Sequence, residues 1–474
     1  MTQTLLPPRR AAVTDAVRGS GVLVGTGLAA LVLGLLAATA PTYALAALLG
    51  TVVVTVVWRR PHVAAYLVVG VTPLVVGIDR DRVVPVLRPN EALLGLLVGV
   101  LVTKAALRVR IGSLPQIRLS PLSKAILVYA MAGSVLPLAF MVLRGRTVEM
   151  DDITYAAVLW KYLALYALVR YTVSTDRQVE VCLWIGMAAG VVVGVLGICQ
   201  SLDLFGVRGL LVPWYAPFGY TAGFADPRAG STVGLPAATA DLMVLNLVVA
   251  FGVCWRRPRL LRWLGPAALV YVLAVFAAAE FSSVLGLLIA GFVVALRLRR
   301  LDLLRYALVL LPPGVVVLWP TIEHRIVEFS SGQGMPTSWL VRYRNLKTYF
   351  WPQILDGTNV LVGVRPAARV PVDGAFGFIW IESGYTWLLW GGGIPLFAAY
   401  CWFVRATLRA TRDASRDLTA LPNVAALASY AGTVACVVLM LFDPHITYRG
   451  SADELFALLA LAALGRRRPD REGA

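Results

Sequence analysis

Apolar segments about twenty residues long recur along almost the whole chain, each bounded by basic or turn-forming stretches, and few folds accommodate that repetition. A bilayer core ~30 Å thick is crossed by a helix of ~20 apolar residues. In lipid the backbone must satisfy its own hydrogen bonds, so such segments read as helices and not as open strands. Fourteen segments fit, at roughly 20–40, 42–58, 61–78, 90–107, 122–143, 152–171, 180–200, 233–254, 264–280, 283–297, 302–319, 384–405, 421–442 and 453–465. Only 15% of the 474 residues are charged, against about a quarter in a soluble domain. Mean hydropathy is +0.76. The expected fold is an all-α polytopic integral membrane protein, a single transmembrane domain over 1–474 with twelve to fourteen transmembrane helices.

Basic residues orient it. Placing both termini in the cytoplasm collects roughly two-thirds of the 43 Lys and Arg on that side. The clusters Arg256–Arg262 and Arg297–Arg300 both belong there, so the apolar stretch between them must cross twice, turning at Glu280-Phe-Ser-Ser283. The net charge of +17 is mostly this fringe facing anionic lipid and does not argue for nucleic acid. The first 18 residues, with Pro7, Pro8, Arg9 and Arg10 ahead of Asp15, do not read as a signal peptide. The five cysteines fall in or beside spans without metal-ligand spacing, which speaks against disulfides and zinc. There is no P-loop and no dinucleotide fingerprint.

The chemistry therefore falls to two outer loops, 201–234 and 321–383. The larger sets Arg325, Arg342, Arg344, Lys347, Arg365 and Arg369 against Glu323, Glu328, Asp356, Asp373 and Glu382, with Trp339, Trp351 and Trp380 among them. Its apolar pattern at Trp339, Val341, Leu346, Tyr349 and Phe350 predicts a short helix over about 336–350 that docks on the bundle. Arg342 and Arg344 are two residues apart and so point to different faces of a helix. At most one of them shares a site with Arg228. That arginine opens Arg228-Ala-Gly-Ser-Thr, where guanidinium and backbone donors can together approach an anion; it reads equally as a snorkelling helix-end arginine. Asp241 and Lys161 are intramembrane charges, functional by default. Asp241 is placed to orient Arg228, and Lys161 to pair with a neighbour such as Asp241. His445 on a short outer loop either joins the cavity or caps a helix. Trp380, Trp387 and Trp390 read as an interfacial belt.

Arg228-Ala-Gly-Ser-Thr-Val-Gly-Leu-Pro resembles the "R-x-x-G-T-x-x-N-P" loop of the O-antigen ligase and Wzy-type polysaccharide polymerase superfamily. Arg342-Tyr-Arg-Asn-Leu…Trp351-Pro…Val362-Gly-Val is similar to its "R…W…P-x-x-G-x-G" loop, and Glu382-Ser-Gly384 to its "E-x-G" approach to the next span. The turn Ala279-Glu-Phe-Ser-Ser283 stands where the superfamily has an "S-R-G" hairpin. The resemblance covers roughly residues 150–410 and rests on the order and spacing of the motifs.

The resemblance implies a GT-C-like fold in the cytoplasmic membrane. It implies transfer or polymerisation of undecaprenyl-diphosphate-linked glycan, in cell-surface or exopolysaccharide biosynthesis, with no metal or nucleotide cofactor. Arg228, with Arg342 or Arg344, would bind the donor diphosphate; Arg365, Asp241 and His445 would give support. Where members carry a histidine before "E-x-G", this chain has Asp373-Gly-Ala-Phe-Gly-Phe, so the base falls to Asp373 or Glu382. Expected partners are the lipid-linked oligosaccharide, a glycan or lipid-anchored acceptor, the bilayer, and a flippase and chain-length regulator. The alternatives are a secondary transporter of a small anionic or sugar solute and a non-catalytic envelope scaffold.

Overall fold

The computed structural model describes residues 41–110, 119–215, 228–303, 337–372 and 377–464, with isolated positions 312, 316, 319 and 323. The chain divides into two compact units, Met1–Arg60 and Pro61–Ala474. In the first, the described part is one apolar helix, α1 (Pro41–Arg59), ending on a basic residue.

The second unit begins with α2 (His62–Val75), α3 (Pro89–Arg110), α4 (Pro121–Ala132), α5 (Val135–Leu143), α6 (Met150–Thr172), α7 (Asp176–Ser201) and α8 (Val207–Tyr215). Next come α9 (Pro236–Arg256), α10 (Leu261–Ala277) and α11 (Phe281–Arg297). The described part of the large loop holds α12 (Thr337–Asn345), a π-helical turn (Leu346–Phe350), α13 (Trp351–Leu355) and α14 (Asn359–Val362). A two-stranded antiparallel ribbon follows, β1 (Arg369–Pro371) on β2 (Phe378–Trp380), and then α15 (Gly384–Thr411), α16 (Leu421–Leu439) and α17 (Ser451–Ala462).

Among the described residues, eight helical stretches are long and apolar enough to cross a membrane, and three shorter helices are apolar. This is a helical, membrane-embedded protein. The segment expected at 20–40 lies outside the described residues, and that at 302–319 almost wholly so. The expected helix at 122–143 is two helices, because Ser134 leaves helical geometry (φ −133°, ψ −74°) and turns its hydroxyl back onto the Ala130 carbonyl at 2.6 Å. The ribbon is a departure from an all-helical chain. It pairs short, partly exposed runs in the loop, where water can serve the unpaired edges.

The core sits around α9 and α16, whose spans are 78% and 72% buried, against 17% for the span at Pro89–Val109. α17 is buried on every side, although it carries Asp453 and Glu454. α9 packs on α10 and α16, α11 on α16, and α17 on α6 and α16. Aromatic stacking of Phe456 on Tyr162 (5.0 Å) and on Phe403 (5.4 Å) ties α17 to α6 and α15. The chain breaks between α10 and α11 at residues 278–280, with Ala279 at φ 50°, so the expected turn lies slightly earlier, and Phe281, Ser282 and Ser283 already form the first turn of α11.

Candidate functional site

One end of the bundle opens into a cavity of about 900 Å³. Its walls come from the α2–α3 loop, the first turns of α6, Arg228, Glu280, Arg342 on α12, the residues Ala368 and Arg369, Trp380 to Glu382 and Trp387, and the α16–α17 loop. Helices entering this end run away from it. α6 extends from Asp151, at the cavity, to Arg170, which at 1.5 Å per residue is about 30 Å away. The same geometry sends Arg256, Arg297 and Arg409 to the far end of α9, α11 and α15.

Arg228 is held by the segment that follows it. Ala229 N–H donates to the Ala277 carbonyl at 2.9 Å, which lays this stretch along the end of α10 and sets Arg228 beside Glu280, Nη1 to Oε1 2.9 Å. The donors of Gly-Ser-Thr do not reach the cavity. Ser231 N–H donates to the Gln200 side chain (2.7 Å), its hydroxyl to Val193 (2.7 Å), and the Thr232 hydroxyl to Pro73 (2.8 Å). These residues are buried anchors, so of the expected anion-binding set only the guanidinium faces the opening.

The helix expected over about 336–350 is observed as α12 running into its π-helical turn. Trp339 packs on Phe281 and Phe442, each at 5.5 Å between ring centres, while Leu346 and Phe350 are buried beneath. Arg342 lies three residues beyond Trp339 and therefore on the same face. It reaches Asp443 (Nη1 to Oδ2 3.0 Å) and Glu382 (Nε to Oε1 3.4 Å). Arg344, on a different face, is exposed and does not line the cavity.

Glu382 is fixed by what comes next. Ser383 caps α15 by accepting from Thr386 N–H (3.3 Å), and Gly384 N–H donates to Met440 (2.8 Å). A Cβ at position 384 would lie 2.4 Å from the Met440 sulfur and 3.0 Å from the Asp443 carbonyl oxygen, so a larger residue would require the end of the Met440 side chain to move. Burial lifts the Glu382 carboxyl to about 7 against the pull of Arg342, and Asp443 and Glu280 add to the rise. Burial also raises Asp443, against Arg342 and His445.

Other expected contacts are rearranged. Asp241 does not orient Arg228. It lies in the second turn of α9, facing the α16–α17 loop, where His445 donates Nδ1–H to it at 2.6 Å. Burial would lower the His445 imidazole, but Asp241, then Asp443 and Glu280, outweigh it and hold it above its usual range. Both residues line a separate cavity of about 30 Å³ and not the large one. Lys161 pairs with Asp453 at 3.0 Å, not with Asp241. Arg365 is bound to Asp152 (2.7 Å) and Glu149 (2.8 Å) and is a clasp between the loop and α6. Trp380 and Trp387 line the cavity, whereas Trp390 is buried and donates to Ala367 at 2.8 Å. Asp373 lies outside the described residues.

Sequence reasoning passed over Asp79, Arg80, Arg88, Glu91 and Arg449, all of which line the cavity. The dense run Asp79-Arg-Asp-Arg82 is a signal that could have found them. Neither a protein-family model, nor a curated protein, nor a solved structure matches this chain.

Proposed function

We propose that this cavity is the reaction chamber of a GT-C-type glycosyltransferase, related to O-antigen ligases and polysaccharide polymerases. It would transfer or polymerise a glycan from an undecaprenyl-diphosphate carrier at the outer face of the cytoplasmic membrane. One observation carries this reading: Arg228 and Arg342, far apart in the chain, line one cavity together with Glu382. A diphosphate leaving group gathers negative charge as its bond to the sugar breaks, and guanidiniums fixed in place stabilise that charge without a metal. On binding, the diphosphate exchanges places with Glu280 at Arg228 and with Asp443 at Arg342. The acceptor hydroxyl then attacks the sugar carbon, its proton passes to a carboxylate, and the lipid diphosphate departs. Glu382 is the described carboxylate best suited to take that proton, because its raised affinity brings it near neutrality. Asp373 is the other base in this reading.

Turnover of purified undecaprenyl-diphosphate glycan tests the assignment. Arg228→Ala and Arg342→Ala should abolish product, and Lys at either position should restore only part, for want of the bidentate fork. Arg344→Ala should retain activity. Normal turnover by Arg228→Ala would sink the diphosphate role. The buried Lys161–Asp453 pair favours the alternative, a secondary transporter. Solute uptake by proteoliposomes that lack glycan transfer would decide for it.

A further inference from the structure

A second opening shares no lining residue with the large cavity. Between α15 and α16 runs an open groove of about 620 Å³, within the ~300–1,000 Å³ of a site for one small ligand. Its walls are apolar: Phe397, Tyr400, Val404 and Leu408 from α15, and Tyr430 and Val437 from α16. Tyr385 ties the two helices together at one end, donating its hydroxyl hydrogen to the Val437 carbonyl at 2.8 Å.

The other end is basic. Arg405, Arg409 and Arg412 line the groove at spacings of four and three, which puts them on one face of α15, and all three are exposed. No carboxylate is among the described residues that line it. α15, α16, the loop between them and the last turn of α11 carry Arg297, Arg405, Arg409, Arg412 and Arg416 against Asp413 and Asp417. Asp417 is engaged by Thr419, which donates both its N–H (3.0 Å) and its hydroxyl (2.9 Å). Arg297 is committed to the helix junction: its guanidinium stacks on Tyr430 (4.5 Å) and donates to the Ser415 hydroxyl (2.9 Å) and the Arg412 carbonyl. Asp413 acts on that same Arg297. Arg409 makes a further interaction of its own, which leaves Arg405 and Arg412, on either side of it, as the anchors the groove offers. An apolar trough ending in exposed guanidiniums matches a molecule with a hydrocarbon chain and a phosphate, and basic pockets between spans are where anionic headgroups bind.

We infer that the α15–α16 groove holds one acyl chain of an anionic phospholipid, its phosphate at Arg405 and Arg412, in the leaflet on the side away from the cavity. This site stands whether or not the large cavity transfers glycan. Seated there, the lipid braces α15, the helix whose first turn fixes Glu382.

Native mass spectrometry of the full-length protein in a non-ionic detergent counts bound lipids directly. One phosphatidylglycerol per chain should bind roughly thirtyfold more tightly than phosphatidylcholine, the scale of two arginines meeting an anionic lipid. Arg405→Gln combined with Arg412→Gln should erase that preference while phosphatidylcholine still binds, which shows that the variant is folded. Arg259→Gln combined with Arg262→Gln, an equally basic pair at the same end of the bundle but outside the groove, should keep it. In the parent protein, phosphatidylglycerol should shield Cys401, an exposed residue of the groove, from a maleimide, read at the peptide that carries it. Equal affinity for the two lipids, a preference that survives loss of Arg405 and Arg412, or one lost equally with Arg259 and Arg262 overturns the site. So does labelling of Cys401 that phosphatidylglycerol fails to slow, the result expected if another segment of this chain already covers the groove.

Discussion

Glu382 titrates where experiments are easily made, and its two consequences run in opposite directions with pH. If it is the base of the proposed transfer it must be ionised, so product formation should rise through pH 7 and level off above it. For stability the sign reverses. Its folded affinity for a proton is raised above the unfolded value of 4.5, so the unfolded chain gives up that proton first, and the folded state loses ground between about pH 4.5 and 7. Glu382→Gln should therefore be inactive, yet gain melting temperature over the parent at pH 8 relative to pH 5, with Arg342 still held by Asp443. A gain that is the same at both pH values would refute the titration. Arg228, Arg342 and Glu382 were legible because each sits in a spaced polar run among apolar spans. Their partners were not. Asp443 and Glu280 enter through the packing of α11 against α16, which no local pattern records.

At the scale of elements, the seam between the large loop and α15 is built from backbone against backbone. Gly393 interrupts α15 with φ 63° and ψ −155°. A Cβ there would lie 2.6 Å from the Leu361 carbonyl carbon and the Val362 nitrogen, atoms that cannot rotate aside. Val364 N–H reaches the Trp390 carbonyl across the same seam at 2.7 Å, and Arg144 reinforces it with a bond to the Gly363 carbonyl at 3.2 Å. Gly393→Ala meets both this clash and the strain of a backbone region essentially reserved for glycine, about 1–3 kcal/mol on its own. Gly391→Ala, whose Cβ would meet only the Leu396 side chain at 3.6 Å, is the control. Thermal melting in detergent should show a clear loss for Gly393→Ala and little for Gly391→Ala; equal melting would mean that the loop does not depend on this seam. The run of three glycines was visible in the sequence, but which of them bends the helix depends on what lies 30 residues earlier. The docking of α12 could be read in advance because its aromatic spacing is local. The ribbon could not, since short polar runs carry little periodicity.

For the molecule as a whole, the decisive question is which side of the membrane the cavity faces. The helix ends that meet the cavity carry mixed charge, while the opposite ends carry Arg256, Arg257, Arg259, Arg297, Arg405, Arg409 and Arg412 with fewer acids among them. Basic residues gather on the cytoplasmic side of short loops, so we propose that the cavity faces outward. That is where a lipid-linked glycan would be met, and a cytoplasmic cavity would remove the ground for the proposed reaction. A single cysteine can report it. In a background free of the five native cysteines, Arg344→Cys lies on the exposed face of α12 near the cavity, and Arg259→Cys on the exposed loop after α9. Added to intact cells, a membrane-impermeant maleimide should label position 344 at once and position 259 only after lysis. The reverse pattern would place the cavity in the cytoplasm, and the arginines lining it would need a soluble anionic ligand in place of a lipid-borne one.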